Sequence, residues 1–229
     1  MTLSDLARKI PSVLRLEGLF KLIMEKAAEL FSASNCAIFY VDSVSGKLTY
    51  AYSIGYDEKT LKDLNLKSGE ESGIIGWCAK HSKFLSVTEV ENDPYLADLL
   101  RQNKFPVSFC QPILERGKTT MVLCVGDMQK PMKDSELMRL SSFLANLSSI
   151  AIENAKLMEK TREQAIRDGL TGLYNHKYFY ELLEGAVAKA GKSGDMMGVF
   201  LIDIDHFKNF NDTYGHQTGD FIVLAEIRR

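Results

Sequence analysis

Apolar residues between Leu16 and Phe31 fall at 16, 19, 20, 23, 27, 30 and 31, the three-and-four spacing that buries one face of a helix. Pro11 stands at or just ahead of its first turn, where a missing N–H costs little. The period then changes. "CAIFYVD" and "KLTYAYSIGY" are rich in β-branched and aromatic residues and are separated by "SVSG", which predicts a hairpin; "VSFCQPILE" and "TTMVLCVGD", joined through "RGK", predict a second. Between the hairpins, "SGIIGWCAKHSKFLSVTEVENDPYL" reads as helix and loop. Antiparallel strands with helices at both ends of the segment point to an α+β domain with helices on one face of a central sheet.

From Leu140 onward one long helix is predicted. Leu140, Leu144, Leu147, Ala151, Asn154, Met158, Thr161, Ala165 and Asp168 alternate four and three apart, a heptad seam that grows polar toward its end. The stretch up to Ile150 is expected to cover the sheet. The continuation from Glu153 to Arg167 is expected to pair with the same helix of a second subunit, and a polar Asn154 in the seam would fix the register of that pair.

Composition narrows the picture mainly by exclusion. The 229 residues are 45% hydrophobic and 25% charged, a normal globular balance. A formal net charge of -2 with both signs interspersed gives no broad footprint for nucleic acid or an anionic membrane, so an anionic ligand needs a local site. Cys36, Cys78, Cys110 and Cys124 show neither a CxxC nor a Cys/His metal spacing, no secretory signal precedes them, and they are read as reduced thiols of a cytoplasmic protein. The apolar runs are shorter than the roughly 20 residues of a membrane span.

Chemistry concentrates in "GVFLIDIDHFKNFNDTYGHQTGD", from Gly198 to Asp220. "GVFLI" reads as a buried strand that ends on Asp203-Ile204-Asp205 and passes into a helix from about His206. A carboxylate at a strand's end beside a helix N-terminus can hold a divalent cation while free N–H groups take phosphate oxygens. Gly215 and Gly219 break and restart the chain, bringing Asn211, Asp212 and Asp220 near one another. A calcium loop opening at Asp203 is excluded, since its sixth position is Lys208 where glycine is needed and its twelfth is Tyr214 where glutamate is needed.

Two resemblances follow. "SGIIGWCAKHSKFLSVTEVENDPY" and "QPILERGKTTMVLCVGDMQKPMKDSELMRLSSFLANLSSIAIENAKL" resemble the middle and the closing hairpin and helix of a GAF domain. Asp168 to Phe179, "D-x-LTGLxN-xxxF", and Asp203 to Asp220, "DxDxFKxxND-xxGHxxGD", resemble the first part of a GGDEF domain, the diguanylate cyclase module of bacterial signalling. His176 departs from the arginine common in that family. The implied division is a lead-in over 1–16, a GAF sensor over 17–152, a linker helix over 153–167 and a partial GGDEF domain over 168–229. The implied architecture is therefore α+β: a GAF-type antiparallel sheet with flanking helices, a long connecting helix, and the opening of a nucleotidyl-cyclase-like α/β domain.

The second resemblance implies roles. Asp203 and the carbonyl of Ile204 match the positions that bind Mg²⁺ on the triphosphate of GTP. The N–H groups of His206 and Phe207 match those that wrap its outer phosphates, and Asn211 and Asp220 match its guanine contacts. A carboxylate such as Asp220 accepts from N1–H and the exocyclic amine of guanine, a donor pair adenine lacks. Asp212 is as readily structural, Lys208 is read as an outer-face charge and His216 as part of the turn between two helices. The implied reaction joins two GTP molecules into cyclic di-GMP within a homodimer. The family's GG[DE]EF turn, later basic residues and RxxD site are not among these residues, so the chain is expected to be inactive as it stands. The 62 residues from Asp168 to Arg229 are also expected to be less stable than the GAF part.

"GDMQKPMKDSEL" lacks the Asn-Lys pair and the phenylalanine of cyclic-nucleotide-binding GAF members, which leaves the GAF ligand unknown. Cys78, Cys110, His81 and Trp77 are read as packing or surface residues. Alternatives are a non-catalytic GAF sensor or dimerisation module with a vestigial GGDEF segment, and a cyclic di-GMP or GTP receptor without catalysis.

Overall fold

The computed structural model describes residues 16–227; Pro11, the lead-in ahead of Leu16 and Arg229 lie outside the described residues. Two compact units divide at Met158 and Glu159.

In the first unit, α1 (Leu16–Phe31) buries Leu19, Phe20, Ile23, Met24, Ala27 and Phe31, the face its spacing predicts. The strands β1 (Ala33–Val41) and β2 (Lys47–Ile54) form the first hairpin, with Asp42 accepting from the Val44 and Ser45 N–H groups to turn the chain. The strands β5 (Phe109–Glu115) and β6 (Lys118–Met128) form the second. Its connection is Arg116-Gly117, both at positive φ (52° and 79°), the mirror-image turn whose twist matches that of the strands; glycine takes this at no steric cost. Both expected hairpins are therefore present.

The sheet has six antiparallel strands, ordered β3-β2-β1-β6-β5-β4. Its edges are two short strands that the periodicity did not reveal, β3 (Leu66–Lys67) and β4 (Leu85–Ser86). Two residues are too few to show alternation, and only pairing with β2 and β5 defines them. The segment between the hairpins is helical as expected: α2 (Glu58–Lys62), α3 (Gly73–His81), α4 (Val87–Asn92) and α5 (Ala97–Gln102).

The sheet separates two cores, so helices lie on both of its faces and not on the one expected. On one side Phe31, Ile38, Phe109, Ile113, Leu123 and Val125 pack with α1 and the long helix α6 (Asp134–Ile166). On the other, Phe39, Leu48, Leu66, Ile74, Cys110 and Cys124 are joined by Leu61, Val90 and Leu99 of the shorter helices. All four cysteines are buried and form no disulfide, the Cys110 and Cys124 thiols lying in a hydrogen bond of 3.5 Å; burial pushes the Cys36 thiol up to about 12 and those of Cys78 and Cys124 well upward. Trp77 packs at the margin of the second core and stacks on the exposed His81.

The helix α6 begins six residues before Leu140, and Leu140, Leu144 and Leu147 of the expected seam pack on the sheet core as expected of the stretch up to Ile150. Leu137, Ser141, Leu144, Ser148, Ala151 and Ala155 lie against the sheet, whereas Asn154, Met158, Thr161 and Ala165 are exposed. The buried face mixes Leu137, Leu144 and Ile152 with the small Ser141, Ala145, Ser148, Ala151 and Ala155, which let the helix approach the sheet closely.

In the second unit, α7 (His176–Ser193), α8 (Phe207–Tyr214) and α9 (His216–Ile227) follow one another. The expected buried strand "GVFLI" is absent: residues 198–204 are irregular, with Phe200, Leu201 and Ile202 at 90% exposure or more. A strand needs a neighbour for its N–H and C=O groups. Among the described residues of this unit no other strand supplies one.

Candidate functional site

The phrase beginning at Asp168 folds into a stitched turn. Asp168 Oδ1 accepts from the N–H of Leu170 (3.2 Å) and of Thr171 (2.9 Å) and from the Thr171 hydroxyl (2.8 Å). Those bonds, led by Thr171, hold the Asp168 carboxyl below its ordinary range. Asn175 ties two helix ends together. Its N–H and Nδ2 donate to the Ile166 and Ala165 carbonyls at the end of α6, and its Oδ1 caps α7 by accepting from Tyr178 N–H at 3.0 Å. Arg167 donates to Glu163 and to the Gly172 carbonyl, and its guanidinium lies 5.0 Å from the centre of the Tyr174 ring. Sequence reasoning matched this phrase and gave it no task. The signal was present, since an aspartate three residues ahead of a threonine and an asparagine just ahead of a helix are turn and cap patterns.

The second phrase forms a helical hairpin. Gly215, at φ 84°, ends α8, and α9 begins at His216, which is the turn position expected of that histidine. Asn211 Oδ1 is buried against Gly219, where a Cβ would collide with it, and it has no hydrogen-bond partner. Gly219 is the one buried residue of α9, with Phe207 on the same contact. The hairpin thereby sets Asn211 one residue away from Asp220, which is exposed. Asp212 and Lys208 are also exposed.

Ahead of the hairpin, Asp203 is exposed and Ile204 half-buried, without the strand expected to present them. The Ile204 carbonyl accepts from Phe207 N–H at 3.4 Å, so an expected metal ligand and an expected phosphate donor face each other across one long bond. His206 caps α8 in the left-handed conformation (φ 56°, ψ 21°), a strained choice for a non-glycine residue of the kind found at ligand sites. Among the described residues no three His, Cys, Asp or Glu side chains gather as a metal cage. A carboxylate and a carbonyl are nonetheless the hard oxygen donors Mg²⁺ takes, with nucleotide phosphates and water completing its shell.

On the GAF side, one surface cleft of about 360 Å³ is lined by Glu70, Glu71, Tyr95, Asp98, Leu99 and Gln102. Its three carboxylates repel a phosphate. No helix among the described residues is long and apolar enough to cross a membrane.

The GAF domain profile matches residues 15–152, and the profile for "Diguanylate cyclase, GGDEF domain" matches residues 165–228. The chain belongs to the GAF family and carries a GGDEF segment behind that domain. Diguanylate cyclase A of Treponema denticola is 26% identical over 237 residues, covering 99% of this chain and 62% of its own length. The response regulator PleD of Caulobacter vibrioides is 42% identical over 66 residues, 29% of this chain and 14% of its own. The chain thus spans less than two thirds of the length of these curated relatives. Among solved structures, the GAF domain of an Acinetobacter phosphoenolpyruvate-protein phosphotransferase superposes with a TM-score of 0.53 at 18% identity, over 68% of this chain and 92% of that one, which shows the fold.

Proposed function

We propose that the chain is the sensory and nucleotide-entry part of a GAF-regulated diguanylate cyclase, which joins two GTP molecules into cyclic di-GMP. The observation that carries this reading is the hairpin of α8 and α9, which holds Asn211 against Gly219 and next to Asp220. In this reading Asn211 and Asp220 contact guanine, the N–H groups of His206 and Phe207 take phosphate oxygens at the N-terminus of α8, and Asp203 with the Ile204 carbonyl holds Mg²⁺. The metal supplies charge neutralisation on the triphosphate. The chain's residues orient the base and the phosphates.

The 229 residues contain no GG[DE]EF turn, so they supply one metal carboxylate and one face of the nucleotide site. By themselves they do not turn GTP over. Incubation with Mg²⁺ and GTP followed by nucleotide chromatography is expected to show no cyclic di-GMP, and robust product would overturn this. A chain that continues through GG[DE]EF is expected to make the product, and Asp220→Ala in it to lose selection of GTP over ATP.

Each subunit holds one nucleotide in this reading, so the reactive form is a homodimer. Packing of α6 on the sheet leaves a second stripe for the pairing, with Phe143 and Leu147 half-buried and Ile150 and Asn154 exposed. This stripe shares Leu147 and Asn154 with the predicted seam, and Asn154 is the asparagine that sets register. Ile150→Asp is expected to shift the chain to monomer in analytical ultracentrifugation. A location in the cytoplasm follows from the nucleotide substrate.

A further inference from the structure

Glycine inside a helix costs stability relative to alanine, so a helical glycine whose Cβ position is occupied serves the occupant. The second unit holds its own controls. A Cβ added at Gly185 or Gly191 of α7 would meet nothing within 4 Å. At Gly219 of α9 it would stand 1.8 Å from Asn211 Oδ1, 2.9 Å from Asn211 Cγ and 3.2 Å from Phe207 Cζ. Phe207 and Asn211 are four residues apart and share one face of α8, so Gly219 enters between a ring and an amide.

The contact also has a direction. The Asn211 oxygen crowds the place a Cβ would take, so it faces the glycine hydrogen that stands there, in the manner of a weak Cα–H···O bond. That oxygen is buried and has no ordinary hydrogen-bond partner. Turned the other way, the amide would press two N–H donors against the same hydrogen and leave them without an acceptor. The seat therefore keeps Oδ1 inside and turns Nδ2, the donor end, away from Gly219. Asp220, the next residue of α9, is exposed and as a carboxylate offers only acceptors.

We propose that Gly219 is a positioning residue for base selection: by admitting the Asn211 oxygen it fixes the amide with Nδ2 outward, a donor set beside the acceptor carboxylate of Asp220. Guanine answers both, with the acceptors O6 and N7 for a donor and with N1–H and its amine for a carboxylate. The role toward the base rests on the cyclase reading; the seat itself does not.

Both are tested by NMR in the 229-residue chain. The Gly219 hydrogen that faces Oδ1 is expected downfield of its geminal partner, and that shift is expected to vanish in Asn211→Ala. Two Hα resonances that Asn211→Ala leaves unmoved would overturn the seat. Saturation transfer to GTP and ATP at equal concentration, with Mg²⁺, then reads the base, and the parent is expected to favour GTP. In Gly219→Ala the atoms nearest the new methyl belong to side chains, so helical circular dichroism is kept. The preference for GTP falls about fivefold, the size of one net hydrogen bond. Asn211→Ala loses as much, and Gly185→Ala, whose methyl meets nothing, loses none. A preference unchanged in Gly219→Ala or in Asn211→Ala overturns the positioning role; if Gly219→Ala does not fold, Asn211→Ala and the Hα shift decide. A parent that prefers neither nucleotide overturns the cyclase reading and this role with it, while the Hα shift still reports the seat.

Discussion

The two units spend similar helical sequences in opposite ways. In the first, α1 and α6 close over a sheet and bury residues such as Leu19, Phe31 and Leu144 completely. In the second, α7 and α8 bury no residue and α9 only Gly219, while Phe179, Leu182, Val187 and Phe221 are exposed. In that unit α8 and α9 meet at Gly219, while α7 is held by its ends. Asn175 caps α7 at its start and Gly194, at φ 75°, closes it, so local signals define the ends of a helix that buries no residue. A strand has no such independence, and "GVFLI" remains irregular.

The contrast can be broken most sharply by proteolysis. Limited chymotrypsin digestion is expected to cut first at Phe200, within the exposed run 198–204, and to leave the GAF unit whole; first cleavage within β1 or β6 would reverse the comparison. Next in size is core truncation. Leu144→Ala is expected to cost about 2–5 kcal/mol in urea unfolding of the first unit, while Leu182→Ala, at 45% exposure, stays within about 0.5 kcal/mol. Equal effects would mean that the second unit has a core of its own.

A smaller effect belongs to the joint. Asn175→Ala is expected to cost about 1 kcal/mol of α7 helix stability, read by circular dichroism on heating, because it removes a cap at 3.0 Å. Asn175→Ser restores the cap but not the bond from Nδ2 to Ala165, and is expected to fall between. The smallest effect is a titration. The Asp168 carboxyl is held below its ordinary 3.8, so its contribution to the turn is present above that value and is lost as pH falls through the lower, folded one. The Thr171 amide proton, followed by NMR, should titrate with a midpoint under 3.8; a midpoint at or above it would show that the turn does not favour the carboxylate.

Much of the first unit was legible because its signals are local and periodic. The face of α1 and both hairpins follow from residue spacing and from a turn such as Arg116-Gly117. The sheet-facing side of α6 was legible only in part: Leu140, Leu144 and Leu147 pack on the core, but spacing reports which residues are apolar and could not single out the serines on that side. Ser141 and Ser148 lie on the buried row because Gln111 and the Leu144 carbonyl satisfy their hydroxyls. No periodicity analysis rewards a buried serine. The site phrase was legible as a motif, and the helical break at Gly215 agreed with it. The setting of Asp203 was not, because it presumed a strand whose formation depends on another strand.

The sequence alone determined the elements that close upon themselves: helices with their caps, two-residue turns, and the glycine that ends α8. Tertiary structure decided everything that needs a second surface. It chose which row of α6 meets the sheet, defined the two-residue edge strands β3 and β4, set Asn211 against Gly219, and left "GVFLI" without a ladder. The reason is one of bonding range: a helix satisfies its N–H and C=O groups within its own segment, while a strand or a packed face is completed only by residues far away in the chain.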